Sequence, residues 1–288
     1  MWQALLGMSC LALGAALNGM RPVVEIMYPD FALVAADQLF NQIAKVRHMF
    51  GGQFAVPVVV RSRVTAGTGY GSQHSMDASG LFAQYPGWRI LAPSRPYDYI
   101  GLLNAAMRCS DPVLIVEFNE LFKQVGPVPK GDWDYIVPIG KARIARAGRR
   151  CTVLAYGTMV GLACEVAERT GIDAEVIDLR TLDPLGVDWD TIGASVQRTN
   201  ALLVVEQTTR GTSIGSRVVS EAQSRLFDWL DHEIVHVSGT ESSPVVSKVL
   251  ERAALAGAEA VEAALRAIDA RRGGSSVSQG VDRSLACQ

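Results

Sequence analysis

The sequence predicts an α/β protein made of two doubly wound domains, each a parallel sheet with helices on both faces. Three observations support this fold class. Short β-branched runs alternate with amphipathic helical stretches from Arg21 to Phe118, the alternation resumes at Cys151, and a stretch rich in proline and glycine separates the two. A chain of 288 residues, 49% of them hydrophobic, is long enough to bury two cores.

The domain boundaries follow from where this alternation stops. We expect a first domain at residues 1–125, a linker at 126–147, a second domain at 148–270 and a disordered tail at 271–288. The linker region contains QVGPVPKGDWDY, which has no long apolar period. The tail begins RRGGSSVSQG, a glycine- and serine-rich composition that does not support a packed core.

The first sheet is predicted to start with the strand Arg21–Met27, which Tyr28-Pro29-Asp30 ends while offering a helix N-cap. Apolar side chains at helical spacing then predict a single helix from Phe31 to about Met49. The other predicted elements of this domain are strands at 56–60, 88–91 and 112–118 and helices at about 76–84 and 96–108.

The second domain repeats the pattern with more regular elements. Its predicted strands and helices alternate along the whole segment, which again indicates a parallel sheet. The strands are at 151–156, 173–179, 201–206 and 233–237, and the helices at 158–170, 187–198, about 214–230 and about 244–268.

Charge and cysteine content exclude several classes of function. The net charge of −2 and the absence of a clustered Lys/Arg stripe argue against nucleic-acid binding. The five cysteines are scattered without a CxxC or other ligand spacing, so neither a zinc site nor a disulfide framework is indicated. Reduced thiols of this kind are typical of a cytoplasmic protein.

The first twenty residues, Met1–Met20, carry no charge, which raises the question of a signal peptide or a membrane span. No Lys or Arg precedes the apolar run, and glycines and Asn18 dilute it. A face of small residues (Gly7, Cys10 or Leu11, Gly14, Ala15) instead predicts a helix buried against other protein, with no membrane association.

A glycine-rich stretch, RSRVTAGTGYGSQHS from Arg61 to Ser75, follows the predicted strand at 56–60 and delivers a histidine, His74. Gly67, Gly69 and Gly71 permit close backbone approaches that a β-carbon would prevent. Such a loop is typical of a ligand or partner site, although a solvated surface histidine is the simpler interpretation. An imidazole can exchange protons near neutral pH, which makes His74 the candidate catalytic residue.

The usual hydrolase, kinase and dinucleotide-binding motifs are absent from the sequence. Ligands of doubly wound sheets bind beyond the carboxyl ends of the strands. Those ends are here the segment Met27–Phe31 and the loop that carries His74, so we expect both to face one crevice. Phe31 is then a candidate aromatic wall of that crevice, or alternatively a hydrophobic staple of its own helix.

Four stretches of the sequence resemble one known family. They are GAALNGMRPVVEIMYPDFALVAADQLFNQIAKVRHMFGGQ, QHSMD, GWRILAPSRPYDYIGLLNAAMRCSDPVLIVE and VIDLRTLDPL. Together they resemble the β subunit of the E1 component of 2-oxo acid dehydrogenases, the pyruvate, branched-chain and acetoin type, over Gly7 to about Ile268. The resemblance implies a transketolase-like pyrimidine-binding domain followed by a transketolase C-terminal domain.

The family resemblance also implies a cofactor and partners. Thiamine diphosphate would bind at an interface with an α subunit in an α2β2 assembly, and the α subunit would supply the diphosphate and Mg²⁺ motif, which is missing here. The implied reaction decarboxylates a 2-oxo acid and transfers the acyl group to the lipoyl group of an E2 acyltransferase. The alternative is a non-catalytic β-like paralogue, or a truncated product, that assembles with or regulates an α subunit.

Position by position, the resemblance implies roles for single residues. Phe31 matches the aromatic contact to the aminopyrimidine ring, Met27 matches another cofactor-facing residue, and His74 matches the active-site histidine of substrate binding and reductive acylation. A monovalent cation binds in some members near the positions of five residues, largely through backbone carbonyls: Val58, Ala106, Met107, Cys109 and Asp111. Cys109 replaces an aspartate of that cation site.

The largest departure from the family lies at Leu5. Family members carry there the glutamate that hydrogen-bonds the cofactor's N1′ and promotes its ionisation, and they have a further strand and helix before it. Leucine can neither accept nor donate that proton. We therefore expect either a truncated or mis-started chain or one that has lost the activating group.

Overall fold

The computed structural model describes residues 2–211 and 213–274, which form two sheets with helices on both sides. The first sheet has four parallel strands in the order β1-β2-β4-β3, and the second has five strands in the order β5-β7-β6-β8-β9. All pairs of the second sheet are parallel except β5 with β7. The predicted class, two doubly wound α/β domains, is confirmed.

The first sheet is built from short strands that are buried to different degrees. β4 is buried along its whole length, as expected for a central parallel strand, whereas β1 at the edge buries only alternate residues. The elements of this half are α1 (Trp2–Leu17), β1 (Val23–Ile26), α2 (Val46–Met49), β2 (Val59–Val64), α3 (Ser79–Ala83), β3 (Arg89–Leu91), α4 (Pro96–Arg108) and β4 (Val113–Phe118).

The second sheet and its helices match the predicted positions closely. The helix predicted at 158–170 has those same ends, and Gly171 closes it in the left-handed conformation with φ of 69°. The elements are β5 (Arg143–Arg146), β6 (Cys151–Ala155), α5 (Thr158–Thr170), β7 (Ala174–Asp178), α6 (Trp189–Thr199), β8 (Leu202–Thr209), α7 (Ile214–Leu226), β9 (Val235–Gly239), α8 (Lys248–Ala254) and α9 (Ala258–Gly274).

Several predicted elements of the first half are wrong in extent. β2 begins at Val59 because Pro57 has no N–H for the ladder, and it continues to Val64, so the glycine loop starts at Thr65. The single helix predicted from Phe31 to Met49 is three pieces: a 3₁₀ helix at Pro29–Ala35, a π-helical segment at Asp37–Ile43, and α2. The apolar side chains of this segment still face the core at helical spacing, and the buried ones include Ala32, Ala35, Leu39, Ile43 and Val46.

Three differences concern the second half. Residues 143–146, expected to be linker, form β5 and pair antiparallel with β7. The helix predicted at about 244–268 is divided into α8 and α9. α9 continues through Gly274, so the first four residues of the predicted tail are helical, and residues 275–288 lie outside the described residues.

The N-terminal helix α1 is buried on a different face from the one predicted. Ser9, Ala12 and Ala16 pack into the core, whereas a β-carbon added at Gly7 or Gly14 would meet nothing within 4 Å. No helix within residues 2–211 and 213–274 combines the length and apolarity that a membrane crossing requires.

The segment VIDLRTLDPL, which contributed to the resemblance, joins the two sheets. Arg180 has a φ of 54° and directs its guanidinium to the fully buried carboxylate of Asp98 in α4, with Nη1 3.1 Å from Oδ1. The next residue, Thr181, bridges to Leu91 at the end of β3. Asp98 also pairs with Arg95 and Arg143, so this buried charge is fully compensated.

Candidate active site

The carboxyl ends of β1 and β2 lie next to each other, as the parallel register requires. Ile26 is aligned with Ser62, whose hydroxyl donates a hydrogen bond of 2.7 Å to the Ile26 carbonyl. The chain leaving β1 therefore runs beside the chain leaving β2. The two expected loops face one another at this edge of the sheet.

An aromatic cluster forms where these two loops meet. The His74 imidazole packs edge-on against Tyr28, with centroids 4.7 Å apart, and edge-on against Phe31, with centroids 5.4 Å apart. Tyr70 of the glycine loop completes the cluster at 5.7 Å from Tyr28. Phe31 thus faces His74, and we call the group Tyr28, Phe31, Tyr70 and His74 the aromatic cluster.

The exposure of the neighbouring side chains makes this edge a surface that can receive a ligand. His74 and Phe31 are half-buried, Met27 is 46% exposed and Tyr70 is 53% exposed. Such a mixture of apolar faces with one titratable group is typical of a binding site. Of the sequence-predicted site residues, the structure brings Met27, Phe31 and His74 to one place.

Asp30 adds a carboxyl group to this region. Its Oδ2 atom is buried and has no hydrogen-bond partner. Burial raises the pKa of Asp30, and hydrogen bonds from the backbone of Asp30 and Met76 partly oppose that rise. A buried acceptor without a partner beside an aromatic cluster is the polar feature that a bound heterocycle could satisfy.

The second half of the chain holds the glycine loop in place through α8 and the segment before it. The Gly69 amide donates 2.6 Å to the Glu251 carboxylate, Arg252 donates to the Gly67 carbonyl at 3.2 Å, and the Ser72 hydroxyl donates to the Pro244 carbonyl at 2.5 Å. The close approach explains the glycine at position 69, which has a φ of 81° and where a β-carbon would lie 2.7 Å from a backbone oxygen.

A chain of polar side chains, Glu206 and Tyr156 buried and Asp77 and His236 partly buried, connects the two halves. The Tyr156 hydroxyl lies 3.1 Å from Glu206 and 3.3 Å from Asp77, and Glu206 accepts from Gly215 at 2.8 Å and contacts His236 Nε2 at 2.7 Å. Burial raises the pKa values of Asp77 and Tyr156. We call Asp77, Tyr156, Glu206 and His236 the interdomain polar chain.

Leu5 lies on α1, where its partly buried side chain packs against the hydrophobic core. Its carbonyl accepts a hydrogen bond of 2.9 Å from the Ser9 hydroxyl. The side chain offers no polar atom to a ligand.

Two of the five residues expected near a monovalent cation, Cys109 and Asp111, already face positive groups. Arg21 donates 2.7 Å to the Cys109 carbonyl, and Arg47 pairs with the Asp111 carboxylate. The Val58 carbonyl accepts from Val113 at 2.9 Å and the Ala106 carbonyl from Cys109 at 3.1 Å. Met107 lies on the same helix, α4, and packs against a small apolar cluster. A monovalent cation at these positions stays a prediction, since each carbonyl that accepts one hydrogen bond keeps a second lone pair.

Sequence reasoning missed several residues of this region. Arg63 contacts both Met27 and Tyr28, and it was missed because the strand was predicted to end before it. Glu251 and Glu206 carried no signal, because their partners lie far away in the sequence. Within the described residues, no group of three or more His, Cys, Asp or Glu side chains could hold a metal ion.

Two family models match this chain. Residues 6–124 match the family model described as transketolase, pyrimidine binding domain, and residues 140–261 match transketolase, C-terminal domain. The aromatic cluster lies in the first of these regions, and α8 lies in the second.

The curated relatives share substantial sequence identity with the chain. It is 40% identical over 258 residues to the acetoin:2,6-dichlorophenolindophenol oxidoreductase subunit beta of Cupriavidus necator, covering 88% of this chain and 75% of the relative. It is 38% identical over 248 residues to the 2-oxoisovalerate dehydrogenase subunit beta of Pseudomonas aeruginosa, covering 80% and 70%.

A further curated relative and one solved structure complete the comparison. The pyruvate dehydrogenase E1 component subunit beta of Rhizobium meliloti is 36% identical over 265 residues, covering 91% of this chain and 57% of the relative. Among solved structures, a split gene transketolase described as an inactive beta4 tetramer matches with a TM-score of 0.72 at 20% identity, covering 94% of this chain and 82% of that one. At that identity the structural likeness shows the fold.

Proposed function

Because this chain belongs to the β-subunit family of the E1 components of 2-oxo acid dehydrogenases, we propose that it forms half of a thiamine diphosphate site whose other half lies on an α subunit. The observation that carries the proposal is the aromatic cluster at the carboxyl ends of β1 and β2. It lies in the region that matches the pyrimidine-binding family. No observation on the described residues favours the alternative of a non-catalytic or truncated regulatory subunit.

The residues at this edge fit the aminopyrimidine end of the cofactor. Phe31 offers an aromatic ring, Met27 an exposed thioether, and Asp30 a buried oxygen without a partner. When bound, thiamine diphosphate supplies the carbanion chemistry that decarboxylates a 2-oxo acid. Leu5 gives no acid for the pyrimidine N1′, so the activating carboxyl is not supplied at that position.

His74 is proposed to act on the substrate side of the site. Its ring is fixed by Tyr28 and Phe31 at its edges and by a backbone contact, since the Thr65 hydroxyl donates to the His74 carbonyl. An imidazole held in this way can donate a proton to a substrate oxygen or accept one from a thiol. We assign it the acid–base role in acyl transfer to the lipoyl group.

The partners proposed are those of the family. Met27 and Tyr70 are exposed in this chain, which is consistent with an α subunit that covers them in an α2β2 assembly and supplies the diphosphate and Mg²⁺ site. A lipoyl-bearing E2 acyltransferase would then receive the acyl group. The proposed compartment is the cytoplasm.

Calorimetric titration tests the two-subunit arrangement. The isolated chain is expected to show no tight binding of thiamine diphosphate with Mg²⁺, whereas the complex with a co-expressed α subunit should bind it. Sub-micromolar binding by the homogeneous isolated chain would contradict the proposal. A complex that binds the cofactor but does not turn over any 2-oxo acid would favour the non-catalytic alternative.

A further inference from the structure

Arg63 is a positive charge at the aromatic cluster without a negative partner. Within the described part of the chain, no carboxylate lies within ion-pair distance of its guanidinium, and its buried Nε has no hydrogen-bond partner. Arg61 lies two residues earlier on the same face of β2. By contrast, it forms an ion pair with Glu117 through Nε at 2.6 Å and Nη2 at 3.1 Å. Of these two guanidinium groups, Arg63 is therefore the one that remains able to bind an anion.

Two aromatic rings hold the Arg63 guanidinium in position. Its central carbon lies 5.3 Å from the Tyr28 ring centroid and 5.7 Å from that of Phe122. Nη2 donates 3.2 Å to the Tyr28 hydroxyl and contacts the Met27 sulfur at 3.4 Å. Stacking of this kind fixes the plane of the guanidinium and removes part of its hydration, while it supplies no negative charge.

The position relates Arg63 directly to the proposed catalytic residue. Tyr28 contacts Arg63 through its hydroxyl and ring and contacts His74 through its ring, so one side chain lies between the two. The Tyr28 ring centroid is 5.3 Å from the guanidinium carbon and 4.7 Å from the His74 ring, so a ligand that extends past Tyr28 can contact both groups. Guanidinium groups bind planar carboxylates in a forked geometry with two parallel hydrogen bonds.

We propose that Arg63 binds the carboxylate of the 2-oxo acid and so selects a charged substrate over a neutral one. This inference rests on the proposed function and adds the residue that determines substrate class. It distinguishes this chain's expected substrate from acetoin, the uncharged compound in the name of the Cupriavidus necator relative. The competing anion is the diphosphate of the cofactor, which is also negative but carries more charge and has a different geometry.

The test compares substrates with and without a carboxylate in the assembled complex. Arg63→Met keeps an unbranched apolar stem between Tyr28 and Phe122 but removes the charge, and Arg63→Lys keeps the charge but loses the fork. We expect Arg63→Met to lower kcat/KM for pyruvate by about 10- to 100-fold, mainly through KM, because a charged hydrogen-bonded pair is lost. With acetaldehyde or acetoin the change should stay below about twofold, and Arg63→Lys should recover part of the pyruvate activity.

The control is Arg217→Met on α7, where the side chain is exposed and the same chemical change should leave all substrates unaffected. Equal losses with pyruvate and acetaldehyde, or an unchanged KM for pyruvate, would overturn the proposal. A weakened affinity for thiamine diphosphate with an unchanged KM for pyruvate would assign Arg63 to the diphosphate instead.

A binding measurement separates this inference from the proposed function. Titration calorimetry of the assembled complex with oxalate, an unreactive carboxylate, should give binding that Arg63→Met abolishes and Arg217→Met preserves. A complex that turns over no substrate but shows this pattern would contradict the proposed function and support Arg63. Oxalate binding that is unchanged in Arg63→Met would exclude Arg63 even if the complex is active.

Discussion

The imidazole of His74 and the ring of Tyr28 form an edge-to-face contact, with their centroids 4.7 Å apart and their planes at 71° to each other. This contact joins the residue that leaves β1 to the loop that leaves β2. It packs the imidazole on one side and adds the ring nitrogens to the polar groups that Asp30 and Arg63 contribute at this edge. The function of His74 and the stability of the loop can therefore be measured separately.

Replacing His74 is expected to affect turnover far more than stability. In the complex with an α subunit, His74→Ala should lower lipoyl acylation by about 10²- to 10⁴-fold, because an acid–base group is lost. The melting temperature should change little, since the side chain is only half-buried. His48→Ala, an exposed histidine on α2, is the control. A loss of several degrees with unaltered kinetics would show a structural role.

Glu251 is expected to control the mobility of the glycine loop. Glu251→Ala removes the acceptor of the Gly69 amide and should speed hydrogen exchange of that amide by about tenfold or more, because a charge-assisted bond is lost. Glu251→Gln retains an acceptor oxygen and should keep most of the protection. Exchange mass spectrometry of peptides that span residues 65–75 measures this, with Glu259→Ala on α9 as an exposed control. Unchanged exchange in Glu251→Ala would mean that the loop is held by its other contacts.

Substituting alanine at Gly215 and at Gly161 is expected to change the stability of the protein in opposite directions. A β-carbon at Gly215 would lie 2.4 Å from Glu206 Oε1 and 2.6 Å from His236 Nε2, so Gly215→Ala should destabilise the protein by about 2 kcal/mol or more. At Gly161, an exposed position within α5, a β-carbon meets nothing within 4 Å, and Gly161→Ala should stabilise by about 0.5–1 kcal/mol. Denaturant unfolding measures both. If the two substitutions changed the free energy of unfolding equally, the interdomain polar chain would not be tightly packed around Gly215.

Asp77 is expected to make stability fall as the pH rises. Burial raises its pKa above the unfolded value of 3.8, so the folded state binds more protons between these two pKa values. The contribution of Asp77 to the free energy of unfolding is fully present below pH 3.8, and it is lost as the pH rises through the pKa of the folded state. Asp77→Asn has no proton to lose, so its melting temperature relative to the wild type should rise from about pH 4 to pH 7 by about 2–4 °C. A difference that is constant with pH would show that Asp77 titrates alike in both states.

The Leu5 position should respond poorly to a single substitution. Leu5→Glu places a carboxylate against the core and should cost about 1–3 kcal/mol of stability, seen as a lower melting temperature. Turnover of the complex with the α subunit should not rise above that of the unsubstituted chain, since the side chain packs inward. A strong gain in turnover would show that the new carboxylate reaches the cofactor.

The fold was predictable where local pattern and tertiary environment agree. The helix at 158–170 has a continuous apolar period and a glycine stop, and its ends were predicted without error. β5 was missed because the sequence Arg143–Arg146 has charged residues at both ends, and only its pairing with β7 makes it a strand. The break between α8 and α9 and the π-helical segment at Asp37–Ile43 likewise carry no signal that a periodicity count detects.

The sequence predicted which two loops form the candidate site, but it did not predict their contacts with residues far away in the chain. Strand order places Phe31 and His74 at one edge of the sheet, and a parallel register then brings them together. The contact between Gly69 and Glu251 spans 182 positions, and nothing in either local sequence indicates it. Arg63 was missed because the strand was predicted to end at residue 60, whereas β2 continues to Val64. A residue assigned to a loop is not expected to have neighbours across a sheet.

The Arg180 and Asp98 pair has a consequence for how this chain can exchange parts with its relatives. The guanidinium belongs to one sheet and its buried counter-ion to a helix of the other, with Arg143 and Arg95 completing the same group of charges. A recombinant chimera with a crossover between residues 99 and 142 would inherit Asp98 from one parent and Arg143 and Arg180 from the other. Such hybrids can keep both folds intact only where the two parents have matched charges here, so gene exchange across this boundary is constrained by electrostatics and not by the length of the connecting segment.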